Sequence, residues 1–90
     1  MELQFTQQEN VFVAEFTAEA DFNIHIEKGN GFVTLYQSGV EGGRYDLVRS
    51  LNDNNYDVVI DADCMALVYP KYMRIVSTVM PTMAVITFAE

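Results

Sequence analysis

The chain has 90 residues, half of them hydrophobic, and its 13 acidic against 5 basic side chains give a formal charge of −8. This length predicts one domain, residues 1–90, built around one hydrophobic core. The few basic residues are scattered, so the sequence lacks the clustered positive face with which proteins bind nucleic acids or anionic membranes directly.

The first ten residues, MELQFTQQEN, show neither a basic start nor the apolar run of a secretory signal. No stretch of the chain approaches the ~18 apolar residues of a membrane-spanning helix. Cys64 is the only cysteine and therefore cannot form an intrachain disulfide. We expect a protein without a signal peptide or a transmembrane segment.

Apolar and polar residues alternate from position 12 to position 27. The even positions from Phe12 to Ile26 are all apolar, and the odd positions from Glu15 to Glu27 are all polar. A period of two predicts β-structure with one buried and one wet face. The run is long for one strand, so we expect TAEAD (17–21) to bend and to separate two strands in near-continuous register.

Two further segments follow. GFVTLYQS (31–38) is rich in strand-forming residues. RYDLVRSLN (44–52) is ambiguous: a strand would turn Tyr45, Leu47 and Leu51 inward, whereas a helix would align Tyr45, Val48 and Leu51. We favour the strand. Gly- and Asn-rich segments at 28–31, 39–43 and 52–55 predict turns, as does Pro81.

The last third of the chain is apolar on both strand faces. In YDVVIDADCMALVYP (56–70) the even positions stay small or apolar, and the odd positions change from polar to apolar after Asp63. The runs YMRIVSTV and MAVITFA place apolar residues on both parities. Such strands are either central and covered or in contact with a partner. The residues predicted to contact a partner are Met65, Leu67, Tyr69, Met73, Val76 and Met80.

Short strands separated by turn residues predict an all-β fold. We expect one small antiparallel β-sandwich, of the jelly-roll or immunoglobulin-like type, with about 7–8 strands.

The sequence offers few residues for chemistry. His25 shares a strand face with Glu27, but no accompanying nucleophile is evident. Cys64 lies on the buried parity beside Asp61 and Asp63, which do not activate a thiol. Asp57, Asp61 and Asp63 share one parity without the spacing of a calcium loop, and such acids commonly protect a sheet edge. We therefore predict no enzyme, no cofactor and no catalytic or metal site.

Two runs, DFNIHIEKGNGFVTLYQS and PKYMRIVSTVMPTMAVITFAE, carry a resemblance. The chain resembles small β-sandwich structural proteins of phages and prophages, which are short, acidic and end on a strand. The resemblance implies a capsid-decoration, fibre or tail accessory subunit that self-associates, often as a trimer, or docks on a larger particle. A non-enzymatic structural subunit, located in a virion or in the cytoplasm, is the leading functional prediction.

Two alternatives belong to other classes. A carbohydrate- or ligand-binding module could use the loops at 28–31, 39–43 and 52–55 as one rim. Its polar contacts would be Asn30, Asn52, Asp53, Asn54 and Asn55, and its rings would come from Tyr36, Tyr45, Tyr56, Tyr69 and Tyr72. An acidic inhibitor that mimics nucleic acid is the second alternative, with salt-sensitive binding to a basic partner.

Overall fold

The computed structural model describes residues 1–51, 57–61 and 70–88. Within these ranges the chain forms eight β-strands and no helix, so the predicted all-β class is confirmed. The strands are β1 (Thr6–Gln8), β2 (Val11–Ala18), β3 (Phe22–Glu27), β4 (Val33–Ser38), β5 (Asp46–Leu51), β6 (Asp57–Asp61), β7 (Lys71–Ser77) and β8 (Met83–Phe88).

The strands form two antiparallel sheets, as expected for a small β-sandwich. The larger sheet has the order β1-β2-β7-β4-β5, and the smaller has the order β6-β3-β8. The start of the chain extends the smaller sheet beyond β8, since the Leu3 amide donates to the Ala84 carbonyl at 2.9 Å. Strand β7 is the centre of the larger sheet and β3 is the centre of the smaller.

The core lies between the inner faces of the two sheets. Side chains from both sheets form one buried cluster: Leu3, Ala14, Phe16, Ala18, Phe22, Ile24, Ile26, Val33, Leu35, Met73, Ile75, Ala84 and Ile86. The rings of Phe16 on β2 and Phe22 on β3 meet edge to face with centroids 5.2 Å apart. Burial of these apolar side chains is the main force that holds the sheets together.

The long alternating run bends where TAEAD predicted a bend, at residues 19–20. The expectation of near-continuous register is wrong, because β2 belongs to the larger sheet and β3 to the smaller. The even positions nevertheless face inward on both strands. A chain that crosses from one sheet to the other keeps its apolar parity toward the shared core.

Residues 46–51 form strand β5, which confirms the strand interpretation, but the predicted inward residues are partly wrong. Leu35 pairs with Arg49 while Tyr36 pairs with Leu47, so Val48 is the extra residue of a β-bulge. Val48 packs against the core, and Leu47 is 62% exposed. A bulge reverses the side-chain parity of a strand, which simple alternation cannot anticipate.

Candidate functional site

The three predicted contact residues that the structure describes do not share one surface. Met73 is 1% exposed and belongs to the core, so its prediction as a partner contact is wrong. Its parity on the central strand β7 points it between the sheets. Val76 is half-buried on the outer face of β7, opposite Val13 and Thr34. Met80 is 51% exposed in the connection between β7 and β8. Met65, Leu67 and Tyr69 lie outside the described residues.

Met80 belongs to an exposed apolar end of the sandwich, which we call the apolar tip. The tip comprises four large apolar side chains that are between one third and just over one half exposed: Phe32, Val79, Met80 and Met83. Two connections bring them together. The Thr78 amide donates to the Phe32 carbonyl at 3.0 Å, and the Phe32 amide donates to the Thr78 hydroxyl at 2.9 Å.

The two connections of the apolar tip are held by local hydrogen bonds. The Gly31 amide donates to the Lys28 carbonyl at 3.2 Å, and Gly29 supplies the positive φ of 59° within this turn. The Lys28 ammonium is buried and donates to the Gly31 carbonyl at 2.9 Å. The Ser77 hydroxyl donates to the Val79 carbonyl at 2.6 Å. The tip therefore presents its apolar side chains from an ordered backbone.

The segments that supply the apolar tip contain no carboxylate. Residues 28–34 and 75–88 contain neither aspartate nor glutamate, although the chain has 13 acidic residues. Acidic residues nevertheless lie beside the tip, because Glu27 on β3 is directly opposite Met83 on β8 and Asp57 on β6. The Glu27 carboxylate lies 3.4 Å from His25 Nε2 on the outer face of β3.

A polar cleft lies on the outer face of the larger sheet, at the opposite end of β4 from the apolar tip. Its volume is about 490 Å³, and its lining residues are Glu15, Phe16, Thr17, Glu41, Gly42, Gly43, Tyr45, Tyr72 and Arg74. We call it the tyrosine–arginine cleft. The strands β2 and β7 supply its floor, and the connection between β4 and β5 supplies one wall.

Strand register builds the centre of the tyrosine–arginine cleft. Glu15 on β2 is directly opposite Arg74 on β7. Arg74 Nε donates to Glu15 Oε2 at 2.9 Å, and Arg74 Nη2 lies 2.8 Å from the same oxygen. The guanidinium carbon of Arg74 also lies 4.0 Å from the centroid of the Tyr45 ring. One arginine is therefore fixed by a charge-assisted contact in the sheet and by a cation–π contact to the loop.

The same cluster changes the acidity of Tyr45. Burial raises the pKa of the Tyr45 phenol above its ordinary 10.0, and the Glu15 carboxylate raises it further, while Arg74 opposes both effects. A nearby anion and partial removal from water both disfavour the phenolate. The Tyr45 hydroxyl is thus held in its protonated, hydrogen-bond-donating form.

The wall of the cleft is a tight glycine-containing turn. The Gly43 amide donates to the Val40 carbonyl at 2.9 Å, and Gly42 adopts a φ of 72°. The Ser38 hydroxyl donates to the Val40 carbonyl at 2.8 Å. Only glycine adopts such a φ without strain, so the turn depends on Gly42. It places the exposed Glu41 at the entrance of the cleft.

Other predicted chemical groups are dispersed. His25 and Glu27 are close, as their shared face predicts. Asp57 and Asp61 stand at opposite ends of β6, and Asp63 and Cys64 lie outside the described residues. Within residues 1–51, 57–61 and 70–88, no group of three or more His, Cys, Asp or Glu side chains is placed to hold a metal ion.

The predicted single rim of three loops is wrong in its described part. The segments 28–31 and 39–43 lie at opposite ends of β4, because one precedes the strand and the other follows it. Asn30 is exposed beside the apolar tip rather than at the cleft. The segment 52–55, with Asn52, Asp53, Asn54 and Asn55, lies outside the described residues.

The sequence reasoning did not identify Glu15 and Arg74 as neighbours. They are 59 positions apart, and only the pairing of β2 with β7 brings them together. The tyrosines were the available signal, since Tyr45 and Tyr72 were already candidates for a binding surface.

Comparison with protein-family models, with curated proteins and with solved structures finds no match for this chain. In the part of the chain that the structure describes, no helix has the length and apolar character needed to cross a membrane.

Proposed function

We propose that this chain is a non-enzymatic structural subunit that self-associates through the apolar tip, as an accessory protein of a phage virion does. The observation that carries the proposal is the apolar tip itself. Four large apolar side chains are exposed together at one end of the molecule, on two segments, 28–34 and 75–88, that contain no carboxylate. Clustered apolar side chains on a protein surface mark contact sites, whereas single ones do not.

The charge distribution supports another copy of the same chain as the partner. Two chains of charge −8 repel each other, and this repulsion is least when their acidic residues are turned away from the contact. Contact between two apolar tips brings together the segments 28–34 and 75–88, which contain no carboxylate, and leaves Glu27 beside the contact, opposite Met83. Burial of Phe32 and Met80 then contributes the favourable free energy, at roughly 25 cal/mol per Å² of apolar surface removed from water.

The size of the apolar tip sets the expected strength of the contact. Stable interfaces bury about 800 Å² on each partner, which is more than four partly exposed side chains supply. Association through the apolar tip alone is therefore weak and depends on protein concentration. A lattice of many subunits, as in a virion, compensates for weak individual contacts because each subunit is held by several of them at once.

Matched charge insertions test the proposal. Met80→Glu places a carboxylate in the apolar tip, and Val40→Glu places one at another exposed site, where Val40 is 68% exposed. Both substitutions add one negative charge to an exposed apolar position. We expect Met80→Glu to weaken self-association at least about tenfold, which corresponds to about 1.4 kcal/mol, while Val40→Glu leaves it nearly unchanged. Sedimentation equilibrium measures both constants.

Equal effects of the two substitutions would contradict the proposal, because they would show that net charge rather than the apolar tip governs association. Urea unfolding of each variant is the control. Both positions are solvent-exposed, so each variant should retain the stability of the parent chain to within about 0.5 kcal/mol.

A further inference from the structure

We propose that the tyrosine–arginine cleft is a binding site for a neutral saccharide. The cleft lies at the opposite end of β4 from the apolar tip, so this inference does not depend on self-association. Its volume of about 490 Å³ lies within the range of ligand-binding clefts, roughly 300–1,000 Å³. Its position differs from the three-loop rim predicted from the sequence.

The polar groups of the cleft are fixed before any ligand arrives. Glu15 holds two nitrogens of Arg74, and Arg74 in turn lies against the Tyr45 ring. A saccharide presents hydroxyls at fixed angles around a rigid ring. Fixed donors and acceptors bind such a ligand with a smaller loss of conformational entropy than mobile side chains do. The Thr17 and tyrosine hydroxyls add groups that both donate and accept.

Aromatic rings supply the apolar part of the site. Tyr72 is directly opposite Thr17 across β2 and β7, and Tyr45 stands on the facing wall, so two half-buried tyrosines line the cleft. Because Arg74 already lies over the Tyr45 ring, the C–H face of a sugar ring packs on Tyr72, while the phenol hydroxyls bond to the sugar's edge. Tyrosine is suited to both contacts because one side chain is apolar and polar at once.

The charges of the cleft select a neutral ligand. Arg74 is the only cation among the lining residues, and Glu15 already neutralises it. Glu41 then leaves the cleft with a negative balance, which repels anions such as phosphate esters. A cation would gain only one exposed carboxylate, and an exposed ion pair contributes about 0–1 kcal/mol. A polyhydroxyl ligand uses the acids as hydrogen-bond acceptors without requiring an opposite charge.

Titration followed by amide chemical shifts tests the proposal. The probes are D-glucose, D-galactose, N-acetyl-D-glucosamine and the oligosaccharides retained on a printed glycan array, with butylammonium chloride and sodium phosphate as the charged alternatives. We expect saturable shifts of the Gly42 and Gly43 amides with at least one neutral saccharide, unchanged by added salt. A dissociation constant in the low millimolar range or below supports the proposal.

A pair of charge-matched substitutions locates the site. Glu41→Gln removes the carboxylate at the cleft entrance, and Glu2→Gln makes the same change at an exposed residue of the smaller sheet. We expect Glu41→Gln to weaken saccharide binding about tenfold, because hydrogen bonds to a charged acceptor are the stronger ones. Glu2→Gln should leave it unchanged. Both side chains are exposed, so both variants should fold.

Three results would overturn the proposal. The first is the absence of shifts with every saccharide up to about 50 mM, a concentration well above a millimolar dissociation constant. The second is binding of butylammonium or phosphate alone, suppressed by salt, which would assign the cleft to a charged ligand. The third is saccharide binding that Glu41→Gln does not weaken, which would place the site elsewhere on the chain.

Discussion

At the scale of single residues, two arginines with described ion pairs show how solvent exposure and neighbouring contacts determine what a charged side chain contributes to stability. Arg44 Nη2 lies 3.2 Å from Asp46 Oδ1, but both side chains are largely exposed, so water screens the pair. Arg74 contacts Glu15 with two nitrogens and also covers the Tyr45 ring. The same residue type is therefore expected to stabilise the fold at one position and to contribute little at the other.

Replacement of the two arginines by methionine measures this difference. We expect Arg74→Met to lower the free energy of unfolding by about 1 kcal/mol, the sum of a half-exposed ion pair and a cation–π contact. Arg44→Met should change it by less than about 0.3 kcal/mol. Urea denaturation of both variants provides the comparison. An equal loss in the two variants would show that the contact to the Tyr45 ring has no stabilising role.

The raised pKa of Tyr45 makes the stability of the fold depend on pH. Its folded-state pKa is raised, so the protonated phenol stabilises the fold fully below the unfolded value of 10.0. Above pH 10 the unfolded chain releases this proton more readily than the folded chain, and the stabilisation is lost as the pH rises through the folded pKa.

Tyr45→Phe isolates this contribution from the other groups that titrate in the same range. Phenylalanine keeps the ring beneath Arg74 but removes the ionisable hydroxyl. We expect stability to fall less steeply above pH 10 in Tyr45→Phe than in the parent chain. Identical slopes in the two proteins would mean that the pKa of Tyr45 is the same in the folded and unfolded states. Thermal unfolding at a series of pH values gives the slopes.

At the scale of the strands, alternation identified most elements and their inward faces. The even positions of β2 and β3 face the core as predicted, although the strands occupy different sheets. The bulge at Val48 and the pairing of β2 with β7 are set by the register between neighbouring strands. These contacts join residues far apart in the chain, and a periodicity within one segment carries no information about them.

Strand β7 shows why the sequence of a strand that is apolar on both faces does not reveal which of its residues are buried. It is the middle strand of five, so its inner face is in the core and β2 and β4 lie along its two edges, where Val13 and Thr34 flank Val76. Met73 and Met80 were equivalent candidates in the sequence, because both lie in an apolar segment of the same composition. Their environments differ because one is in the strand and the other is in the following connection.

The same substitution is therefore expected to affect stability strongly at one methionine and weakly at the other. Met73→Ala removes a fully buried side chain, and we expect it to lower the free energy of unfolding by about 2–5 kcal/mol. Met80→Ala truncates an exposed side chain and should lower it by less than about 0.5 kcal/mol. Chemical denaturation at low protein concentration, where self-association is minimal, measures both. A loss for Met80→Ala as large as that for Met73→Ala would place Met80 in the monomer core.

At the scale of the whole molecule, the two candidate surfaces lie at opposite ends of β4. The polar cleft opens at one end, and the apolar tip occupies the other. This arrangement leaves the cleft accessible when two copies meet at their apolar tips. Added salt screens the repulsion between chains of charge −8 and strengthens an apolar contact.

The native mass of the purified chain, measured by light scattering across concentration and salt, tests self-association most directly. The chain mass is 10.2 kDa. We expect the measured mass to rise above this value with protein concentration, and to rise further when salt is added. A mass of one chain at every concentration up to about 1 mM, in low and in high salt, would contradict self-association, since even a weak millimolar contact is detectable there.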